Sequence, residues 1–344
     1  RGVWVLTFEA AMKDSPTFQE LMEKYPEFQS TIQVLFKQMR GLSRHAGGVI
    51  ITENSREGMP LIKAGGELQT PWPEGVNFRH LEEFGLLKFD ILGLGTLRMF
   101  ENCVRRILQK QGIKHPTFKQ IKQWFWDNLH PDNNPMDDEK VFENVFWNGN
   151  YTGIFQFIND KTQNFMRQMK PKSVTDIAVA TSIFRPGPLS LKVDQRFLNN
   201  RANPEDVVYK HPLLKEVFAE TSGLLVFQEQ LQMIYHKLAG VPLEDTDGIR
   251  KAFTKKEINN KEKAQAERNK LRQSFIEACS KANNIDAEDC GEIFDEMEKL
   301  VAYSFNKSHA VSYATVSYQC AWFLNYYPDE WITTYIDYCV SEKG

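Results

Sequence analysis

Hydrophobic positions in the first third of the chain change from helical to extended spacing. Between residues 16 and 43 they recur every three or four positions, which predicts helices. Ser15 before Pro16 is typical of a capped helix start with proline at the first position. Two short apolar runs follow, HAGGVIIT at 45–52 and GLLKFDIL at 85–92, and both are predicted to be strands.

From about residue 96 onward the spacing is mostly helical. A long polar helix is predicted over 257–282, and a last helix is expected to follow Ser308 and to end before Pro328, because proline cannot continue a helix. Strands therefore give way to helices near residue 95, where we expect a domain boundary. The predicted fold class is mainly α with a small β portion.

Composition limits the class of protein. With 344 residues, 42% hydrophobic and 25% charged, the chain is globular and long enough for several domains. It has no run of about 18 apolar residues and no signal-peptide pattern, so we expect a cytoplasmic protein without a membrane partner. None of the five cysteines lies in a CxxC motif, which favours a reduced chain without zinc. Because it begins RGVWVLTF, without Met, we expect a piece of something longer.

Asp90 is the most informative residue of the second predicted strand. It interrupts an apolar run that is expected to be buried, and an unpaired buried carboxylate costs several kcal/mol. Lys88, two residues earlier, shares its strand face, whereas Leu87 and Phe89 face the other way. Two interpretations stay open: a structural salt bridge, or a phosphoryl-transfer site in which Asp90 holds Mg²⁺ and Lys88 meets a phosphate.

Several basic residues are candidates for phosphate contacts. Arg185 in FRPGPL is expected at the end of an apolar helix, held on a proline-rigid turn, where a purely structural role is the commoner one. From 250 to 272 the chain has nine Lys or Arg against three Glu, although its net charge is −3. This run is either a solvated helix face or a surface for polyphosphate or DNA.

A predicted helix start carries Asn306, Lys307 and His309, and helix N-termini attract anions. The aromatic residues that follow are expected to be mostly core. His45 comes just before a glycine pair, where a backbone can approach a ligand closely, but a lone histidine is more often structural. None of these signals decides the function alone.

Seven segments, in this order, resemble signatures of the bacterial replicative DNA polymerase III alpha subunits, the C-family polymerases. They are HAGGVIIT, LLKFDILGLGTL, GIFQF, FRPGPL, GLLVFQEQ, DGIRKAFTKK and FNKSHAVSYATVSYQ. The resemblance implies a palm similar to the polymerase β nucleotidyltransferase and largely helical fingers. It assigns 1–43 to the end of the thumb, 44–95 to the second part of the palm and 96–344 to the fingers.

The resemblance also implies roles for individual residues. Asp90 corresponds to one of three palm aspartates that bind two Mg²⁺ ions, and Lys88 would lie near primer or nucleotide phosphate. The residues expected to contact the nucleotide are Arg185, Arg250, Lys251, Asn306, Lys307 and His309. Those expected to contact DNA are Arg44, His45, Lys255 and Lys256.

The implied partners are primer–template DNA, dNTP, the remaining part of the polymerase, and a sliding clamp bound through a C-terminal region that this chain lacks. The family's other two aspartates lie in a PDxDxDF segment, and nothing in this chain matches it. Since two-metal catalysis needs carboxylates that bridge both ions, the chain alone is expected to be inactive. A catalytically dead scaffold subunit and a non-templated nucleotidyltransferase stay open as alternatives. The source is expected to be a bacterium or a bacterial virus.

Overall fold

The computed structural model describes residues 8–35, 38, 45, 47–53, 58–64, 66–72, 81, 84–254, 261–301 and 303–341. Contacts divide the chain into two compact units, Arg1–Leu94 and Gly95–Gly344. The model is mainly helical, with short strands in the first unit, which confirms the predicted mainly α class. Among the residues described, no helix combines the length and apolarity that crossing a membrane requires.

The described part of the first unit starts with helices α1 (Phe8–Asp14), α2 (Pro16–Lys24) and α3 (Phe28–Leu35). The predicted cap is confirmed, because Ser15 Oγ accepts a hydrogen bond from the Phe18 amide at 3.3 Å and Pro16 occupies the first helical position. Positions 36–37 and 39–43, also predicted to be helical, lie outside the described residues.

Within the described residues, four strands form two antiparallel ribbons. Strands β1 (Gly48–Ile51) and β4 (Leu87–Asp90) pair with each other, as do β2 (Ile62–Ala64) and β3 (Glu67–Gln69). The first pair confirms the two predicted strands. The second was not predicted, because the glycines and prolines around it indicate only turns.

The prediction that Asp90 lies in a buried run is wrong. Leu87 is 59% exposed, Phe89 is 50% exposed, and the Asp90 side chain is 49% exposed. Val49 pairs with Phe89, so these apolar side chains share one face of the β1–β4 ribbon. A two-stranded ribbon cannot cover its own faces, and among the described residues no layer buries this one.

The second unit is helical. Its α-helices are α4 (Gly95–Lys110), α5 (Phe118–Leu129), α6 (Glu139–Val141), α7 (Asp160–Met169), α8 (Val174–Ile183), α9 (Pro186–Ser190), α10 (Val193–Ala202), α11 (Pro212–Phe218), α12 (Gln228–Ala239), α13 (Thr246–Thr254), α14 (Lys261–Asn283), α15 (Ala287–Val301), α16 (Lys307–Tyr326) and α17 (Pro328–Ser341). A π-helix covers Phe142–Trp147, and 3₁₀ turns cover Pro204–Asp206, Ala219–Thr221 and Leu243–Asp245.

Helices α8 and α16 form the centre of this unit. Helix α8 is apolar almost all round, with Ile177 and Val179 fully buried, and such a helix must be enclosed by others. On α16 the small residues Ala310 and Ala314 are buried, which lets α8 pack closely against it. Tyr318 on α16 is fully buried, as expected for its aromatic run.

Two boundaries differ from the prediction. Helix α16 begins earlier than Ser308, because Asn306 is its N-cap and accepts a hydrogen bond from the His309 amide at 2.8 Å. Pro328 ends α16 as predicted but also opens α17, which was not predicted. Proline fits the first turn of a helix, where its missing amide hydrogen is not needed. The long polar helix is observed from 261, and 255–260 lie outside the described residues.

Gln230 on α12 is a buried polar residue with every hydrogen-bonding group in use. Its Oε1 accepts from the amides of Val226 and Phe227 at 2.8 and 2.9 Å. Its Nε2 donates to the Val217 carbonyl at 3.1 Å and to Thr221 Oγ1 at 2.7 Å. The side chain therefore fixes the segment that leads into α12.

Replacing Gln230 by Leu is expected to lower the free energy of unfolding by about 2–4 kcal/mol, because two buried amides and two acceptors lose their partners. Urea unfolding followed by circular dichroism measures this loss. Gln232→Leu is the matched control, since Gln232 lies on the same helix and is only half-buried. Equal stability of the two variants would contradict the role of the Gln230 network.

Candidate functional site

The Lys88 and Asp90 side chains lie together on one face of β4, as predicted. Lys88 Nζ donates to Asp90 Oδ1 at 2.5 Å. This hydrogen bond, with the positive charge of Lys88 and a smaller effect of His45, holds the pKa of the Asp90 carboxyl below its usual range. Asp90 is therefore ionised at neutral pH, the state in which a carboxylate binds metal.

His45 lies beside this pair. Its Nδ1 accepts a hydrogen bond from the Gly47 amide at 3.1 Å, and its Nε2 is 3.6 Å from Asp90 Oδ1. The Nε2 side of the ring therefore faces the carboxylate. His45 thus lies next to Asp90 as well as stabilising the backbone at Gly47.

The glycine pair after His45 is explained by the strands themselves. A Cβ on Gly47 would lie 2.3 Å from the Ile91 carbonyl oxygen, and one on Gly48 would lie 2.9 Å from His45 Nδ1. The Ile91 amide donates to the Gly47 carbonyl at 2.8 Å. The close approach predicted for this pair is therefore to Ile91, just after β4, and to His45.

Asp90 fits one part of a magnesium site. It is an exposed, ionised carboxylate, the donor that Mg²⁺ prefers, and both contacts described above use only its Oδ1. No group of three or more Asp, Glu, His or Cys residues that could hold a metal occurs within the described residues. The residues present fit a single ligand of a shared site.

The second unit has an open pocket of about 240 Å³. Cationic, aromatic and neutral polar side chains line it together: Gln156, Thr162, Thr181, Phe184, Arg185, Phe305, His309, Ala310 and Tyr313. Of the predicted nucleotide contacts, the structure brings Arg185 and His309 to this pocket. Tyr313 also lines it and is only half-buried, although an aromatic residue at helical spacing was expected in the core.

Arg185 lies between two helices. Arg185 was predicted at the end of an apolar helix. Helix α8 ends at Ile183 and Pro186 opens the short helix α9, so Arg185 is instead the N-cap residue of α9. Its guanidinium lies over the Phe305 ring, 4.3 Å from the centroid. The stacked, planar arginine is therefore held at the pocket wall with its edges available to a ligand.

The Phe305 ring belongs to a junction between the starts of α12 and α16. The Phe305 amide donates to the Val226 carbonyl, and the Gln228 amide donates to the Phe305 carbonyl, both at 2.9 Å. Arg250 reaches the same junction, because its guanidinium donates to Gln228 Oε1 at 3.3 Å and pairs with Asp247 at 2.8 Å. Three signature segments distant in sequence thus meet here.

Asn306 and Lys307 bind carboxylates of the protein at this junction. Asn306 Nδ2 and the Lys307 amide each donate to the Glu229 carboxylate at 2.9 Å. Lys307 Nζ binds both oxygens of Glu220 at 2.6 and 2.8 Å. The anions at the start of α16 are therefore the protein's own carboxylates, a pairing that the sequence pattern did not indicate.

The side chains of the remaining predicted nucleotide and DNA contacts are not among those that the structure describes. Arg44, Lys255 and Lys256 lie outside the described residues, and so does the side chain of Lys251, although its backbone belongs to α13. Sequence reasoning missed Gln156, Glu220, Glu229 and Gln230. Gln156 lies inside the GIFQF segment, Glu229 and Gln230 lie inside GLLVFQEQ, and Glu220 comes shortly before that segment, so the recognised segments were the one signal that could have indicated them.

Comparison with known families explains why these segments occur together. The model for the bacterial DNA polymerase III alpha subunit finger domain matches residues 105–283, and the one for the bacterial DNA polymerase III alpha NTPase domain matches 2–93. The class is therefore that of bacterial DNA polymerase alpha subunits. The chain belongs to the bacterial DNA polymerase III alpha subunit family.

Individual relatives agree with the family models. DNA polymerase III subunit alpha of Xylella fastidiosa (strain Temecula1) is 31% identical over 341 residues, 95% of this chain and 27% of the relative. The same subunit of Vibrio cholerae is 30% identical over 335 residues, also 95% and 27%. That of Staphylococcus aureus is 33% identical over 298 residues, 85% and 25%. The chain thus spans about a quarter of the length of these relatives.

Proposed function

We propose that this chain supplies part of the palm and the fingers of a template-directed DNA polymerase. The reaction is attack of a primer 3′-hydroxyl on the α-phosphate of a dNTP, with release of pyrophosphate. The observation that carries the proposal is the pocket in which Arg185 and His309 lie beside aromatic rings, because it combines groups for phosphate with surfaces for a base.

The domain assignment is part of the proposal. Residues 1–43 form the end of the thumb, 44–95 the second part of a polymerase-β-like palm, and 96–344 the fingers. The contact division at Leu94 and Gly95 supports it, and so do the separate family matches to 2–93 and 105–283.

The contacts support the nucleotide roles that we propose for individual residues. Arg185 and His309 bind the triphosphate in the pocket. Arg250 stabilises the pocket wall through its hydrogen bond to Gln228, at the junction between the starts of α12 and α16. Asn306 and Lys307 shape the start of α16 through their carboxylate partners. Lys251 is proposed as a further phosphate contact, with Arg44, His45, Lys255 and Lys256 proposed for the DNA backbone.

Asp90 would hold Mg²⁺ at the palm, with carboxylates outside this chain completing a site for two ions. The ions would supply charge neutralisation at the reacting phosphate. Lys88 keeps Asp90 ionised and places a positive charge where primer or nucleotide phosphate would come. The partners are primer–template DNA, dNTP, the remaining part of the polymerase and a sliding clamp, in a bacterial cytoplasm.

Extension by the reconstituted enzyme tests the function. This chain, combined with the remaining palm part, is expected to extend a primer in the order that the template dictates. Arg185→Ala should raise the KM for dNTP about tenfold or more, because a charge-assisted hydrogen bond contributes roughly 1.5–3 kcal/mol. The KM of Arg185→Lys should lie between that of the unaltered enzyme and that of Arg185→Ala, since lysine keeps the charge without the planar fork.

Arg196→Ala is the matched control, because Arg196 is exposed and pairs only weakly with Glu296 at 3.4 Å. It should leave the KM for dNTP unchanged. Extension that ignores the template would favour a non-templated nucleotidyltransferase. Absence of incorporation by the complete assembly would favour a scaffold subunit.

A further inference from the structure

Gln156 has a backbone conformation that is uncommon for glutamine. Its φ is +67°, in the left-handed region that favours glycine and asparagine. Packing on both sides fixes it: Phe155 contacts the Tyr313 ring at a centroid distance of 5.3 Å, and Phe157 is fully buried. Backbone strain of this kind persists where the surrounding structure holds it, and it is concentrated at ligand sites.

This conformation presents the Gln156 side chain to the pocket of Arg185 and His309. The side chain is exposed and lines the pocket wall. Its amide makes no hydrogen bond with the residues that the structure describes, in contrast to the fully bonded amide of Gln230. A polar group held at a fixed place and not used internally is suited to a ligand.

The chemistry of the pocket indicates which part of a ligand the Gln156 side chain would contact. Arg185 carries the charge that phosphate requires, whereas a neutral amide offers one donor group and one acceptor and cannot match a phosphate charge. An amide does match the donors and acceptors of a base edge or a sugar hydroxyl. Thr162 and Thr181 add neutral hydroxyl groups to the same wall.

We propose that Gln156 hydrogen-bonds the nucleoside part of the dNTP whose phosphates bind Arg185 and His309. It is then a positioning residue that contacts the substrate and sets the base and sugar relative to the triphosphate. This inference rests on the proposed function, from which it takes the identity of the ligand.

Binding of dNTP and of inorganic tripolyphosphate to the 344-residue chain tests the inference. Gln156→Ala is expected to weaken dNTP binding about fivefold to tenfold, the effect of one lost hydrogen bond, and to leave tripolyphosphate binding unchanged. Arg185→Ala should weaken binding of both. The control is Ile158→Ala, because Ile158 is 85% exposed, lies two residues away and does not line the pocket.

Gln156→Gly separates the contact from the backbone strain. Glycine accepts a positive φ without steric strain, and this gain offsets its greater freedom in the unfolded chain. This variant should therefore melt at the same or a higher temperature and still bind dNTP as weakly as Gln156→Ala. A purely structural residue would change the melting temperature and not the affinity. Binding of dNTP that depends on Arg185 but not on Gln156 would overturn this inference alone. No dNTP binding by the unaltered chain would overturn both the proposed function and the inference.

Discussion

Asp90→Asn should reduce primer extension by the reconstituted polymerase about a thousandfold or more. Asparagine keeps the shape of the side chain but removes the negative charge that would hold Mg²⁺. A catalytic metal stabilises the transition state by several kcal/mol, and each 1.36 kcal/mol is a tenfold change in rate. Single-turnover extension of a labelled primer at saturating dNTP measures the loss.

DNA binding should change little in the same variant, because Asp90 is one exposed carboxylate that a cation already neutralises. Fluorescence anisotropy of the primer–template checks this. Glu20→Gln is the control for charge, since Glu20 is exposed on α2, and it should extend normally. Extension by Asp90→Asn at the unaltered rate would rule out the metal-ligand assignment.

Asp90 was predicted to be a buried and therefore costly charge, but its side chain is 49% exposed. Alternation along β4 correctly placed Lys88 and Asp90 on one face, because it depends only on backbone geometry. Burial depends on which residues pack against the apolar face of the strand. An apolar run in the sequence does not show whether those residues belong to the same chain. The apolar run was expected to be buried, and yet the face formed by Val49, Leu87 and Phe89 is exposed.

In the helical unit, local features were predictable and long-range partners were not. Helix caps follow from the few residues around them: at the start of α8, Ser173 Oγ accepts a hydrogen bond from the Asp176 amide at 3.1 Å. The pairing of Lys307 with Glu220 joins residues 87 positions apart, and no local pattern specifies it. The resemblance brought Arg185 and His309 into one set. Gln156 lies in GIFQF, a segment of the same resemblance, but its backbone conformation and its place in the pocket are what indicate a role, and the sequence shows neither.

Trp331 shows how much of this fold depends on a helix that the pattern missed. It is fully buried near the start of α17, and its ring lies parallel to Phe323 of α16 at a centroid distance of 5.6 Å. Phe100 of α4 packs on it at 6.0 Å, and its Nε1 donates to the Thr152 carbonyl at 3.0 Å. One side chain therefore joins three helices and the loop that leads to Gln156.

Trp331→Ala is expected to lower the free energy of unfolding of the helical unit by about 3–5 kcal/mol, through a large cavity and an unpaired carbonyl at Thr152. That is a large share of the roughly 5–15 kcal/mol that stabilises a domain. Urea unfolding followed by circular dichroism measures it. Trp331→Phe should lose less because it keeps a stacked ring, and Ile332→Ala, at the adjacent and partly exposed position, should lose about 1 kcal/mol or less. A loss no greater for Trp331→Ala than for Ile332→Ala would mean that α17 is not an integral part of the helical core.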